Sequence, residues 1–167
     1  QVKDNPQRAQ ELYGKVRKHI DIKDASNRDM AWVESVCKSY KPDIVVLDMG
    51  DKFARTGGFA RPDEALKANA IYARQIAKSH NCAMFYMSQL SAEAEGKVNA
   101  NMSMLEGSKT GKASEADLLI CITGNPTFDG QEDEDFTRHW CIVKNKLTGR
   151  HGKVSTILDP ITARYGA

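Results

Sequence analysis

The residues most able to do chemistry are an acid, an amide and a set of cations at the ends of predicted strands. Ile44, Val45, Val46 and Leu47 run directly into Asp48. Four apolar residues ending in an acid place a carboxylate at the carboxyl end of a central strand, the edge where ligands gather in open α/β sheets. A carboxylate there can hold, usually through water, a Mg²⁺ ion that bridges phosphate groups. Any buried strand that ends in Asp gives the same pattern. Ser88-Gln89-Leu90 follows the next predicted strand and sets a neutral amide at the same edge, one strand over. That amide can orient a water or sense a terminal phosphate without neutralising the metal; it can also simply cap a loop.

The cations fall in two groups. Lys97 lies in a polar stretch, 91–104, and Lys109 and Lys112 lie in the segment 105–117 before a predicted strand. They can meet the phosphates of a nucleic-acid strand, or form a solvated basic turn. Gly111-Lys112 invites comparison with the phosphate-binding loop G-x-x-x-x-G-K-[ST]. Glu106 stands where its first Gly belongs, however, and Ala113 where its hydroxyl belongs, and a strand follows where a helix should. Lys144, Lys146 and Arg150 sit at the end of a later strand and in its hairpin. Fixed cations there can reach a neighbour's phosphates and stabilise transition-state charge, or belong to an ordinary polar hairpin. The cysteines Cys37, Cys82, Cys121 and Cys141 show no metal-ligand spacing. They read as reduced, buried thiols of a cytosolic protein. The acidic run 129–135 reads as a solvated loop rather than a metal site.

The elements that must position these groups follow from hydrophobic spacing. The chain has 167 residues, 24 Lys+Arg against 22 Asp+Glu, 41% apolar and 28% charged residues. Its mean hydropathy is −0.53. These values describe one folded domain, and no apolar run approaches the ~20 residues of a membrane helix. A net charge of +2 neither announces nor forbids a nucleic-acid partner. A helix is expected over 5–18 and a short strand over 19–22. Ser26 or Asn27 is expected to cap a helix through Tyr40, on which Met30, Val33, Val36 and Cys37 share a face. The β-branched run 43–48 predicts a strand buried on both faces, as in a parallel sheet. Leu66, Ala70, Ala73, Ile76 and Ala77 form the stripe of a helix over 62–80, and 82–87 is a second buried strand. Strand, helix and strand make a βαβ unit with a right-handed crossover. The stretch 91–104 reads as a mobile loop. Strands are expected over 118–122, 140–144 and 154–158, the last two flanking a turn at 147–152.

Taken in order, these signals resemble the RecA-like motor domain of replicative hexameric DNA helicases, of the phage primase-helicase and bacterial replicative-helicase type. The likeness runs over 19–165, with 44–48 as Walker B, 88–90 as the sensor segment and 144–149 as the carboxy-terminal hairpin. The resemblance implies an α/β, RecA-like P-loop NTPase core with a mostly parallel sheet and a carboxy-terminal β-hairpin. It implies ATP or another NTP with Mg²⁺ as cofactors and a hexameric homo-oligomeric ring on single-stranded DNA. A primase domain or subunit is an expected partner, and the cytoplasm of a bacterial or phage-infected cell the expected location. Asp48 would organise Mg²⁺, Gln89 would couple the γ-phosphate to the DNA loops, and Lys97, Lys109 and Lys112 would touch DNA. Lys144, Lys146 and Arg150 would act on a neighbour's ATP. Lys146 holds the family's arginine-finger position, and Lys lacks the planar fork of Arg. The family's Walker A strand-loop-helix and catalytic Glu are not in this sequence, which starts at Gln1 without Met. Residues 1–167 are therefore expected to be an amino-terminally truncated motor domain that alone neither binds ATP tightly nor hydrolyses it. A non-catalytic RecA-like scaffold and a filament-forming recombinase are the alternative readings.

Overall fold

The structure, a computed structural model, describes residues 5–54, 58, 61–107, 111–126 and 135–166. Helix α1 spans Pro6–Val16; the Asn5 side chain accepts the Arg8 N–H, and Pro6 opens the first turn. The strand expected over 19–22 does not form. A 3-10 turn, Arg17–His19, leads into backbone without a ladder, and Ile22 is 83% exposed. Helix α2 spans Met30–Tyr40, and its cap is Asp29, whose Oδ1 accepts the Trp32 N–H at 2.9 Å. The expected caps lie upstream: Ser26 bonds to Asp24, and Asn27 takes a left-handed turn. Lys41, also left-handed, ends the helix.

Strands β1 (Ile44–Leu47) and β2 (Ala83–Tyr86) pair in parallel, with Leu47 opposite Tyr86, and helix α3 (Pro62–His80) connects them. This is the expected βαβ unit. Met30, Val33 and Cys37 of α2 pack with Ala73 and Ile76 of α3 against Leu47, Val45, Met84 and Tyr86. The opposite face of the pair is open. Ile44, Val46 and Phe85 are 60%, 53% and 55% exposed, so β1 is buried on one face and not on both. Among the described residues that other face is left largely open.

The remaining strands correct the expected mostly parallel sheet. Strands β3 (Leu118–Gly124), β4 (Thr137–Asn145), β5 (Gly152–Asp159) and β6 (Arg164–Gly166) form a separate antiparallel sheet in that order. The turn between β4 and β5 is too short for a parallel crossover, which requires a dozen or more residues. Cys121 and Thr123 of β3 are buried, whereas Leu118, Ile120 and Ile122 alternate outward. Strand β6 and a one-turn helix, α4 (Gly111–Glu115), were not foreseen.

The stretch 91–104 is a built loop. It contains two 3-10 turns, Ala92–Ala94 and Met102–Met104, and closes at a neck. There Leu90 bridges Leu105, the Ser91 N–H donates to the Met104 carbonyl at 2.7 Å, and the Glu106 N–H donates to the Gln89 carbonyl at 3.1 Å. The Val98 carbonyl accepts the Thr123 hydroxyl at 3.0 Å and so ties the loop to β3.

Candidate functional site

Parallel pairing decides what meets at the sheet edge. The Met87 N–H donates to the Leu47 carbonyl at 3.1 Å, and the Gly50 N–H returns to the Met87 carbonyl at 2.9 Å. Asp48 and Gln89 therefore leave the same carboxyl edge from adjacent strands, and both are exposed. The Asp48 carboxylate makes no hydrogen bond or ion pair among the described residues. An open carboxylate of this kind suits a divalent cation held through water.

Beneath that edge lies a buried polar cluster. Lys112 is 6% exposed, and its ammonium stands 2.8 Å from Asp51 Oδ2 and 2.7 Å from Ser88 Oγ. The Ser88 hydroxyl donates to the same Asp51 oxygen at 2.5 Å, and Tyr86 donates to Asp51 Oδ1 at 3.2 Å. Burial first, and then the Asp51 carboxylate, push the Tyr86 hydroxyl well above its usual range. The local backbone is tight, since a Cβ on Gly50 would come within 2.4 Å of the Tyr86 ring. Lys112, expected as a phosphate contact, is turned inward and engaged by a carboxylate. Lys97 is exposed on its loop. Lys109 lies outside the described residues, as does most of the acidic run 129–135.

The hairpin cations converge on the end of α4. Lys144 donates to the carbonyls of Ala113 and Ser114, the latter at 3.0 Å. Its pKa is lowered, first by burial and then by Lys146. Lys146 reaches the Ser114 carbonyl at 3.3 Å and lies 3.9 Å from Asp117. Arg74 of α3 bonds the Glu115 carbonyl and pairs with Asp117 at 3.1 Å. Cations at a helix carboxyl end satisfy its orphan carbonyls. Lys144 is the more enclosed of the hairpin lysines, while Lys146 and Arg150 face solvent. Arg74 and Asp51 were not singled out from sequence, and Ser88 only as part of the segment 88–90. The only signals were an acid three residues past Asp48 and a hydroxyl beside Gln89.

No protein-family model matches the sequence, and no curated protein matches it. Solved structures do. A DnaB-like replicative helicase, described with its interactions with primase, superposes with a TM-score of 0.78 over 93% of this chain at 18% identity. The two share a fold. A second solved structure, itself described as an ATPase domain, agrees, with a TM-score of 0.71 over 83% of this chain at 16% identity. The chain spans 39% of the first of these and 51% of the second. At such identities the fold is what the likeness establishes. No helix of the described residues is long and apolar enough to cross a membrane.

Proposed function

We propose that this chain belongs to an ATP-dependent replicative DNA helicase that couples Mg–ATP hydrolysis to translocation on single-stranded DNA, in a bacterial or phage-infected cell. The observation that carries the reading is the shared edge of β1 and β2. There an open carboxylate, Asp48, directly follows β1 and an amide, Gln89, follows β2 by three residues, and Gln89 begins the neck of the loop that displays Lys97.

The residues present fit part of a magnesium–nucleotide site. Asp48 offers a carboxylate to the ion, and the phosphate oxygens are left to groups outside the described residues. Bound Mg²⁺ supplies charge neutralisation at the bridging phosphates. Asp48 fixes where that charge sits. Gln89 orients a water or a terminal phosphate oxygen, and its carbonyl bond to Glu106 carries any movement into the 91–104 loop. Lys97 meets the DNA phosphates. Lys146 and Arg150, being exposed, serve a neighbouring protomer's site in a hexameric ring, and Lys144 anchors their hairpin to α4. A primase is a partner by analogy with the helicase of similar fold. The 167-residue chain alone does not turn over ATP, because its sequence holds no G-x-x-x-x-G-K-[ST] phosphate-binding loop.

The test is DNA-stimulated ATP hydrolysis by the full-length gene product. Asp48→Asn should lower kcat by about a hundredfold, comparable to losing one electrostatic stabiliser. Lys97→Ala should weaken single-stranded DNA binding uniformly across sequences and reduce the salt slope by roughly one contact. A full-length protein with no DNA-stimulated turnover, or an Asp48→Asn variant with full turnover, overturns the reading.

A further inference from the structure

The cluster of Lys112, Asp51 and Ser88 joins three segments of the chain at a buried point. Asp51 lies in the 3-10 turn Gly50–Lys52 just past β1, Ser88 lies just past β2, and Lys112 lies on α4. Lys112 can only donate, so Ser88 Oγ accepts from it and donates its own O–H to Asp51 at 2.5 Å, the Gln89 carbonyl lying farther off at 3.4 Å. Asp51 thereby accepts Lys112 and Ser88 on one oxygen and Tyr86 on the other. A buried ion pair contributes little net stability, and its most secure role is to fix one arrangement against alternatives.

What it fixes here is legible from the next residues. Ser88 precedes Gln89, whose carbonyl accepts the Glu106 N–H, and Leu90 and Ser91 close the neck against Leu105 and Met104. Ser88 ties the sensor segment by its side chain both to the turn after Asp48 and to α4. We propose that Lys112, Asp51 and Ser88 are positioning residues that hold Gln89 and the neck of the 91–104 loop in register with Asp48. This deepens the helicase reading and rests on it. The residues touch neither nucleotide nor DNA; they act through Gln89.

Two measurements separate the joint from that reading. In the 167-residue chain, Ser88→Ala leaves the Lys112–Asp51 pair in place and so spares the fold. It should raise amide exchange at Ser91 and Glu106 by about tenfold while α3 amides are unchanged. Ser88→Thr keeps the hydroxyl and should restore protection. Unchanged exchange at both amides in Ser88→Ala overturns the proposal, and so does failure of Ser88→Thr to restore it. In the full-length protein, Ser88→Ala should lower DNA-stimulated kcat about tenfold with KM for ATP within about twofold. Where the wild type is stimulated by DNA, equal stimulation in Ser88→Ala also overturns it. A wild type without any stimulation, alongside the expected exchange changes, overturns the helicase reading and leaves the joint standing.

Discussion

Replacing Lys112 by Met removes the cation from a carboxylate that stays buried. The Lys112 side chain is 4% exposed and that of Asp51 13%. Deleting one partner of a buried pair costs about 3–5 kcal/mol, because the other charge is left uncompensated. Asp51 would keep the hydroxyls of Ser88 and Tyr86 as donors. Charged hydrogen bonds of that kind recover part of the loss, which puts the expected cost of Lys112→Met at about 3 kcal/mol. In the double variant Lys112→Met/Asp51→Asn no charge is buried, and the amide can still exchange hydrogen bonds with both hydroxyls. Its cost should be about 1 kcal/mol, since neutral replacements of buried pairs are often tolerated. Asp51→Asn alone strands the ammonium and should cost about as much as Lys112→Met. The assay is urea unfolding of the four proteins, with midpoints compared at constant m. A Lys112→Met cost below about 1 kcal/mol, or a double variant equal to the sum of the singles, would refute the claim that the pair is buried and coupled.

Three further outcomes follow from separate parts of the structure. Gly50→Ala should destabilise by about 1–3 kcal/mol through overpacking, because its Cβ meets the Tyr86 ring; a melting curve identical to wild type would count against that contact. Asn125 first, and then Thr137, hold the Asp135 carboxyl down from 3.8 to about 2. A folded-state pKa below the unfolded one contributes stability at neutral pH that is lost as pH falls from about 4 to about 2. Asp135→Asn should therefore flatten acid destabilisation in that window, and an unchanged acid profile would speak against it. On the open sheet face, Val46→Thr with Phe85→Thr replaces a directly opposed exposed pair. It should lower binding of a hydrophobic dye and self-association with little loss of melting temperature; dye binding equal to wild type would contradict the exposure of that face.

The course of the chain was largely legible from spacing. The apolar stripe of α3 has a 3.6-residue period bounded by Pro62 and a left-handed Asn81, and the helix forms over the expected residues. Short β-branched and aromatic runs located β1, β2 and β3 for the same local reason. Caps were less legible. Ser26, Asn27 and Asp29 are all good capping residues, and the choice fell to the one whose carboxylate meets the Trp32 N–H once Met30 enters the core. The one-turn α4 is too short to show a period. Its carboxyl end is met by Lys144, Lys146 and Arg74, and Lys112 and Ala113 are buried, through partners distant in sequence.

Residue type and order alone determined an α/β chain with an acid, Asp48, and an amide, Gln89, at successive strand ends. Those features depend on local periodicity and on the rule that strand ends share an edge. Tertiary structure decided which charges remain free to act. Asp48 and Lys112 look equally available in sequence, yet one carboxylate stands open at the edge while the ammonium is turned beneath it toward Asp51. Tertiary contacts also left one face of β1 and β2 uncovered and engaged Lys144 with backbone carbonyls. The physical reason is the same in each case. A side chain's chemistry is written in its type, but its solvation and partners are set by segments that lie tens of residues away.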